Sequence, residues 1–494
     1  MIPYYPLYLN GEFRETKSRQ GVVNPSSGEA IAEAAIASSG DVEAALDSAR
    51  RAFDTGPWRK ISLSERKSFL LKISKGIIEK AAELARLETL NTGKPIKEST
   101  FMDVPSAAKT FEHFANNLGR YLKDESLELE NAKSHILHEP YGVVVLIVPW
   151  NYPLLIASWK LACALAAGNT VVLKPSSLTP LTALELAKII DGAGLPRGVV
   201  NIIHASGDAI GEQLCADKRV DMISFTGSSE VGKKIIAYSA ENVKKLIMEL
   251  GGKSASIVLK DADLESALTG CLCSIFLNQG QMCTAMSRIF VEDELYDRFV
   301  KDFLEKAKRI KLGDGLDYQT QMGPLISASQ RKKVIAYVEK AKAEGAKLSC
   351  GGKIPNVPML RNGFFFEPTV FEDVSEKMSI FQEEVFGPVA CLNRFSDLDG
   401  AIALVNGTDF ALAASLWARD TEKAKDLAGK INAGIIWINT YGMFYNDLPY
   451  GGFKQSGFGK ELGREGFLEY TRLKNIIIDQ AKEAKPLVSY WYGF

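Results

Sequence analysis

Residues 142–149 read GVVVLIVP, and the four residues that follow them read WNYP. Four further short apolar runs of this kind are NTVVLKP at 169–175, VVNIIHA at 199–205, DMISFTG at 221–227 and SASIVLK at 254–260. Segments with helical periodicity separate them, such as Pro180 to Ala193. Apolar runs without polar alternation, interleaved with helices, indicate strands buried on both faces of a parallel sheet. The sequence therefore predicts an α/β fold with a doubly wound sheet.

The loops after these predicted strands carry the polar groups. Because ligands of such sheets bind at the carboxyl ends of the strands, we expect the informative residues in the loops WNYP, SS and SSEVGKK. Residues 227–232, GSSEVG, join a strand to a predicted helix, and a helix N-terminus favours phosphate. A glycine turn there is structurally ordinary, and the G-x-G-x-x-G fingerprint is absent. Phosphate binding stays open on these residues alone.

The flanking regions extend the α/β pattern in both directions. Upstream, Ser62 and Glu65 form a capping-box pattern, and apolar residues at helical spacing continue to Gly93. Downstream, a second set of strands and helices runs from about Ser254 to Trp437. A chain of 494 residues exceeds the size of one hydrophobic core, so we expect closely packed domains with a cleft between them.

Composition excludes several classes of function. With 59 Lys+Arg against 60 Asp+Glu, the chain has no global field to hold nucleic acid. The longest apolar run is far shorter than a membrane span, and no signal-peptide pattern opens the chain, so we expect a cytoplasmic protein. Seven cysteines without regular spacing argue against a disulfide framework and against a metal site. Most should be buried free thiols.

One cysteine differs from the others in its surroundings. Cys283 lies in the polar, glycine-containing stretch NQGQMCT at 278–284. A thiol in such a loop can act as a nucleophile in its thiolate form, or it can have no role. Only four histidines occur, and none forms a recognisable Cys-His pattern.

A set of motifs in register identifies the chain as a member of a known superfamily. The motifs are PWNYP at 149–153, KP at 174–175, FTGS at 225–228, ELGGK at 249–253, QGQMC at 279–283 and EEVFGP at 383–388. With them, residues 8–480 resemble the aldehyde dehydrogenase superfamily. The resemblance implies a Rossmann-type cofactor domain, an α/β catalytic domain and a small β oligomerisation extension. The implied ranges are 1–120 and 141–250 for the cofactor domain, 251–455 for the catalytic domain, and 121–140 with 470–494 for the extension.

The same resemblance implies oxidation of an aldehyde to a carboxylic acid with NAD or NADP. It makes Cys283 the nucleophile, and it places the Asn151 amide and the Cys283 backbone N–H at the tetrahedral oxyanion. Glu249 resembles the base that hydrolyses the thioester, which favours water over coenzyme A as the acyl acceptor. Lys160 and Glu461 resemble a proton relay behind that base, although a structural ion pair explains them nearly as well.

Cofactor-binding positions also follow from the resemblance. They are Val148, Pro149, Trp150, Lys174, Ser176, Ser177, Gly207, Gly211, Phe225, Thr226, Gly227, Ser228, Leu250, Gly251, Glu384 and Phe386. NAD-preferring relatives often carry Glu where this chain has Ser177, and that carboxylate would repel a 2′-phosphate. We therefore expect both dinucleotides to be used, unless Ser177 is only a loop residue.

Positions that resemble the substrate funnel are aromatic. They are Tyr152, Trp159, Phe444 and Tyr450, flanked by Ile156, Met282 and Thr284. We expect a tunnel without a fixed charge that accepts a broad range of aliphatic and aromatic aldehydes. Betaine aldehyde or amino aldehydes are the second choice, since ring faces also attract quaternary ammonium groups. Against that choice, betaine-type relatives usually carry Trp where this chain has Tyr450.

Two readings of other kinds compete with this one. Some proteins of this fold are inactive structural or binding proteins, and the same thiol could serve an esterase or an acyl transferase. The intact set of Asn151, Glu249 and Cys283 argues against an inactive structural or binding protein.

The alternating residues 126–130, SLELE, suit an edge strand that pairs across subunits, so a homodimer or homotetramer is expected.

Overall fold

The computed structural model describes residues 2–480 and 491–493. In chain order the strands are β1 Tyr4–Tyr5, β2 Leu7–Leu9, β3 Glu12–Arg14, β4 Arg19–Val23, β5 Ala30–Ala35, β6 Glu125–Glu128, β7 Ala132–Pro140, β8 Val143–Ile147, β9 Thr170–Lys174, β10 Val200–Ile202, β11 Met222–Thr226, β12 Lys245–Glu249, β13 Ala255–Val258, β14 Arg288–Glu292, β15 Lys347–Cys350, β16 Thr369–Glu372, β17 Val389–Phe395, β18 Phe410–Ala411, β19 Ala413–Trp417, β20 Ile435–Ile438, β21 Phe453–Lys454, β22 Gly457–Phe458 and β23 Thr471–Asp479.

Helices fill most of the intervals between these strands. They are α1 Ser39–Asp54, α2 Leu63–Glu79, α3 Ala81–Thr92, α4 Ile96–Glu98, α5 Val104–Tyr121, α6 Pro153–Ala167, α7 Leu181–Ala193, α8 Gly207–Ala216, α9 Ser229–Ser239, α10 Leu264–Phe276, α11 Asp293–Lys308, α12 Ala328–Ala343, α13 Ser379–Gln382, α14 Leu398–Asn406, α15 Thr421–Ala428 and α16 Gly463–Leu468. One turn of π-helix, called the π-turn below, spans Ser99–Asp103, and a 3₁₀ turn spans Leu277–Gly280. Both contribute residues to the site that is described below.

The first large sheet has the strand order β22-β12-β11-β8-β9-β10-β2-β3. Its five central strands are parallel, as the apolar runs predict, and β8 lies between β11 and β9. Val143 to Leu146 are fully buried, because helices cover both faces of the sheet. The carboxyl ends of β8, β9, β11 and β12 therefore open at one edge, where ligands of such sheets bind.

A second sheet has the order β15-β16-β17-β14-β13-β19-β20 and is parallel except for β15. The run SASIVLK forms β13 of this sheet, not a strand of the first one. A third, antiparallel sheet joins β6, β7 and β23. The predicted tail of the extension, 470–494, includes residues 481–490 and 494, which lie outside the described residues.

Local signals explain where the early helices begin and end. Ser62 caps α2 with the predicted capping box, because its side chain accepts from Glu65 N–H while Glu65 accepts from Ser62 N–H. The predicted single covering helix is two helices, α2 and α3, which meet at Lys80. Gly93 ends α3 in the left-handed conformation, with φ of +80°. Within residues 2–480 and 491–493, no helix is long and apolar enough to cross a membrane.

Candidate active site

The predicted nucleophile lies on a strained loop at the end of α10. Asn278, Gln279 and Gly280 all have positive φ, at 46°, 58° and 69°. Gly280 is required there, since a Cβ would lie 2.2 Å from the carbonyl oxygen of Gly387. Such backbone strain clusters at functional sites, and here it delivers Cys283 to a cavity. The Cys283 thiol is partly buried, whereas Cys163, Cys215, Cys271, Cys350 and Cys391 are buried free thiols, as most were predicted to be.

Asn151 lies in the loop after β8 and contacts the nucleophile loop directly. Its Nδ2 donates to the Gln281 carbonyl over 2.8 Å, and Asn278 Nδ2 donates to the Asn151 carbonyl over 3.2 Å. The amide nitrogen carries two hydrogens, so one has no acceptor among the described residues, and Asn151 lines the cavity. Asn151 and Gln281, which are 130 positions apart in the sequence, are thus held side by side.

Glu249 ends β12 and lies in the same cavity. Its side chain is 3% exposed, and among the described residues neither carboxylate oxygen has a hydrogen-bond partner. Burial raises the pKa of Glu249 well above its usual range, and Glu461 raises it further, while Lys160 and Lys460 lower it. Glu249 therefore holds its proton more tightly than an exposed glutamate does.

Lys160 and Glu461 form a buried ion pair behind Glu249. Lys160 Nζ lies 2.5 Å from Glu461 Oε1 and 2.7 Å from Ser224 Oγ. Both side chains are almost fully buried, at 0% and 1% exposure. The second oxygen of Glu461 has no partner among the described residues, and Glu461 lines the cavity. The structure brings the predicted pair together, and this geometry suits both a relay and a structural role.

One half of the cavity collects predicted cofactor residues. Of the predicted set, it is lined by Pro149, Trp150, Thr226, Gly227, Ser228, Leu250, Gly251, Glu384 and Phe386. Glu384 Oε1 accepts from Gly252 N–H over 2.8 Å, and burial raises the pKa of Glu384 to about 7. The rings of Trp150 and Phe386 meet edge to face with centroids 5.1 Å apart. Ser228 caps α9, so the helix N-terminus opens at this end.

The remaining predicted cofactor residues do not line this cavity. They are Val148, Lys174, Ser176, Ser177, Gly207, Gly211 and Phe225. Lys174 ends β9 and is 5% exposed, yet its Nζ reaches only the Pro175 carbonyl, at 3.4 Å, among the described residues. Burial lowers the pKa of Lys174 to about 8. A buried ammonium without an acidic partner fits a ligand that supplies oxygen atoms.

The other half of the cavity is aromatic, as predicted. Tyr152, Trp159, Phe444 and Tyr450 all line it, and the Trp159 ring packs against those of Tyr450 and Phe444 at 5.2 and 6.0 Å. The cavity has about 1380 Å³ of empty space, including its opening to solvent. It is large enough for a cofactor end and a substrate together.

The expectation of a tunnel without a fixed charge needs correction. Asp103, in the π-turn, lines the cavity, and its Oδ2 lies 2.7 Å from Lys94 Nζ. Both side chains are fully buried, and Lys94 Nζ lies 3.9 Å from the centroid of the Tyr152 ring. The lining carboxylate is thus neutralised by a buried lysine. Sequence patterns give no signal for this pair, which stands in no recognised motif.

Tyr441 is a second residue that the sequence analysis missed. Its hydroxyl lies 3.3 Å from Thr284 Oγ1, next to the nucleophile, and its ring lines the cavity.

Among the described residues, no cluster of three or more His, Cys, Asp or Glu side chains could hold a metal ion.

Fold and site together define a class of protein. A parallel sheet opens at the carboxyl ends of its strands, and one cavity is lined by the thiol of the strained loop, by a buried carboxylate, and by the predicted cofactor residues and aromatic residues. This is the arrangement of an oxidoreductase that works with a thiol nucleophile and a bound dinucleotide.

Comparisons with known proteins give the family. The family model described as "Aldehyde dehydrogenase family" matches residues 13–476. A betaine aldehyde dehydrogenase of Bacillus subtilis (strain 168) is 45% identical, over 99% of each chain, and retinaldehyde dehydrogenase 3 of Mus musculus is 41% identical, over 98% of this chain and 94% of the relative. A crystal structure of a point mutant of Staphylococcus aureus betaine aldehyde dehydrogenase, in complex with NAD+, superposes with a TM-score of 0.96 at 40% identity, covering 99% of each chain.

The chain belongs to the aldehyde dehydrogenase family. The prediction of an aldehyde dehydrogenase fold is confirmed, and so is the prediction of an enzyme that oxidises an aldehyde with a nicotinamide dinucleotide.

Proposed function

We propose that this enzyme oxidises its aldehyde to the carboxylic acid through a thioester on Cys283. The observation that carries the proposal is that Cys283, Glu249 and Asn151 line one cavity. The Cys283 thiolate adds to the carbonyl carbon, and the resulting oxyanion accepts hydrogen bonds from the free Asn151 N–H and from Cys283 N–H. Both donors are held by the strained loop before the substrate arrives, which lowers the cost of reorganisation.

Ser228 and Glu384 line the cofactor half of the cavity, and Lys174 lies outside that lining; together they offer a polar side chain for each part of a dinucleotide. A bound nicotinamide would supply the hydride acceptor, so that collapse of the tetrahedral oxyanion on Cys283 releases a hydride and leaves the thioester. Lys174 serves the adenosine ribose, Ser228 the pyrophosphate at the α9 N-terminus, and Glu384 the nicotinamide ribose, with Phe386 and Trp150 packed nearby. The unpaired, buried Lys174 ammonium supports this assignment.

Glu249 acts as the base for the hydrolysis of the thioester. Its carboxylate takes a proton from the attacking water, and the acid and the Cys283 thiolate leave. Because burial raises the Glu249 pKa, the active ionised form becomes more abundant as pH rises. Glu461 faces the cavity and is paired to Lys160, which suits a route that carries the proton away. A purely structural pair remains the alternative role.

We propose that NAD and NADP are both accepted. The Ser176–Ser177 loop follows Lys174 and contains no carboxylate, so nothing in it repels a 2′-phosphate. The Lys174 ammonium is available to pair with that phosphate, since it has no acidic partner among the described residues.

The substrate that we propose first is an apolar or aromatic aldehyde. Apolar side chains continue from the aromatic half of the cavity to solvent, since Met443, Phe444, Tyr445 and Leu448 are 40–57% exposed. An apolar tail would bury part of this surface, at about 25 cal/mol per Å² of apolar area.

Betaine aldehyde is the second candidate. It is favoured by the 45% identity to the B. subtilis betaine aldehyde dehydrogenase and by the ring faces of Trp159 and Phe444. A panel of an apolar aldehyde, benzaldehyde and betaine aldehyde decides between them. More than about tenfold preference for betaine aldehyde in kcat/KM, a difference of about 1.4 kcal/mol, reverses our order.

We further propose that the domains of the chain divide at the predicted boundaries.

We also propose that the chain forms a homodimer or homotetramer through its third sheet. β23 is an edge strand of that sheet, and eight of its nine residues are exposed. Leu473 and Ile477 are 68% and 64% exposed. Exposed apolar edge strands pair with other chains unless they are protected.

The test of the proposed mechanism is Cys283→Ala, with Cys273→Ala as the matched control. Cys273 is an exposed free thiol and does not line the cavity. Cys283→Ala is expected to abolish formation of reduced cofactor while cofactor binding, followed by fluorescence quenching, persists. Retained turnover in Cys283→Ala, or equal loss in Cys273→Ala, contradicts the proposal.

A further inference from the structure

The ring of Tyr450 is held in place from two sides. Its backbone N–H donates to the Glu461 carbonyl, and Glu461 N–H donates back to the Tyr450 carbonyl, both over 2.7 Å. Its ring packs against Trp159 and Phe444, with centroids 5.2 and 5.6 Å away. The side chain is 7% exposed. The phenol oxygen therefore occupies a defined position in the cavity.

That position is beside the sulfur of Cys283. Tyr450 Oη lies 3.1 Å from Cys283 Sγ, and among the described residues the phenol has no other hydrogen-bond partner. The neighbouring Tyr441 provides a contrast, since its hydroxyl contacts Thr284 Oγ1 and Met282 Sδ and not the Cys283 sulfur. The aromatic half of the cavity thus includes one phenol aimed at the nucleophile, which a purely apolar lining does not need.

The groups that face the thiol differ in their effect on its ionisation. Burial raises the pKa of Cys283 to about 12, and the carboxylates of Glu384 and Glu249 raise it, while the Tyr450 hydrogen bond and the Cys283 backbone lower it. Tyr152 and Tyr441 also face this region. Lys160 and Lys460 face Glu249. Among the groups with the largest effect on the Cys283 pKa, Tyr450 is a side chain that favours the thiolate, and it acts through a direct contact of 3.1 Å.

We propose that Tyr450 is a further catalytic residue, whose phenol donates a hydrogen bond to the Cys283 sulfur and stabilises the thiolate. The inference rests on the proposed role of Cys283 as nucleophile. The thiol proton passes to solvent, the C–S bond then forms at the aldehyde carbon, and after that carbon has lost its hydride to the oxidised cofactor the C–S bond breaks when water displaces the thiolate. The phenol keeps its own proton throughout, because burial raises the Tyr450 pKa well above its usual range. It can therefore assist both the attack and the departure of sulfur.

The direct test is alkylation of Cys283 by iodoacetamide in Tyr450→Phe, measured by peptide mass spectrometry between about pH 7 and 9. Below the thiol pKa, the rate follows the small thiolate fraction. Loss of a hydrogen bond to a charged group should reduce that fraction about tenfold, and the greater basicity of the remaining thiolate should return part of the rate. We expect alkylation to slow about three- to tenfold. The control Tyr318→Phe, at an exposed tyrosine that does not line the cavity, should leave the rate unchanged, and an unchanged rate in Tyr450→Phe overturns the proposal.

Two further measurements keep the outcomes distinct. The Tyr450→Phe variant keeps the ring that packs on Trp159, so it should fold. If it does not fold, replacing Tyr450 with 3-fluorotyrosine tests the same contact between the phenol and Cys283. As a stronger donor it should speed alkylation, and no change would overturn the proposal. Alkylation requires no turnover, so its result is independent of Cys283→Ala, which tests the proposed mechanism. If Tyr450→Phe slows alkylation but leaves the rate of the first cofactor reduction unchanged, the catalytic role is wrong.

Discussion

Replacing Glu249 with glutamine should separate the two halves of the reaction. The side chain is 3% exposed and neither carboxylate oxygen has a partner among the described residues, so an amide of the same shape removes no hydrogen bond. Folding should therefore be preserved. Loss of a general base costs about 10²- to 10⁴-fold in rate, or about 3–5 kcal/mol in the barrier to hydrolysis. The attack of the thiolate on the aldehyde and the hydride transfer come before hydrolysis. They do not use Glu249, so both should continue in the variant.

The assay is rapid mixing of enzyme, aldehyde and oxidised cofactor, followed by absorbance of the reduced nicotinamide. Glu249→Gln should give a burst of about one reduced cofactor per active site and then stall. The wild-type steady rate should rise with pH as the raised-pKa carboxyl ionises, and the variant should lose this rise. Glu384→Gln is the control, since it should weaken cofactor binding without producing a burst and stall. Loss of the burst in Glu249→Gln, or normal turnover, would refute the assignment.

Ser177→Glu should raise the KM for NADP selectively, because it places a carboxylate beside the 2′-phosphate; wild-type discrimination of about a thousandfold against NADP contradicts this expectation. Lys160→Met should lower the free energy of unfolding by about 3–5 kcal/mol, since it leaves the buried Glu461 carboxylate unpaired. Lys160→Met with Glu461→Leu should recover part of that stability in denaturant unfolding. If turnover also recovers, the pair is structural, and if it does not, the relay is supported. Ile477→Lys should shift sedimentation toward a smaller species, and a wild-type monomer would remove the proposed assembly.

The buried strands that consist of an unbroken run of apolar residues could be predicted from the sequence. The five apolar runs all form strands, because unbroken burial leaves a signal within a few residues. Assigning them to sheets was harder. SASIVLK pairs with β14 and β19 instead of β12, and no local pattern specifies which of two sheets a buried strand joins. The break at Lys80 was missed for a similar reason, since apolar spacing continues across it.

The site shows the same division between local and distant signals. Cys283 stands out through its own loop, and motifs placed Asn151 and Glu249. The Tyr450 contact to Cys283 joins residues 167 positions apart, and the Lys94–Asp103 pair lies in a π-turn that no motif marks. Tyr441 was missed because an aromatic residue in a loop has no signature of its own. Such contacts depend on packing between elements, and they can be recognised only when the fold is known.

The most direct test of a thioester on Cys283 is to trap the acyl enzyme. Glu249→Gln should be mixed with aldehyde and oxidised cofactor, quenched in acid during the burst, digested and analysed by mass spectrometry. We expect the mass of the acyl group on the peptide that contains Cys283, in an amount equal to the reduced cofactor formed. A burst without acylation of Cys283, or with the acyl group on another of the seven cysteines, would contradict it.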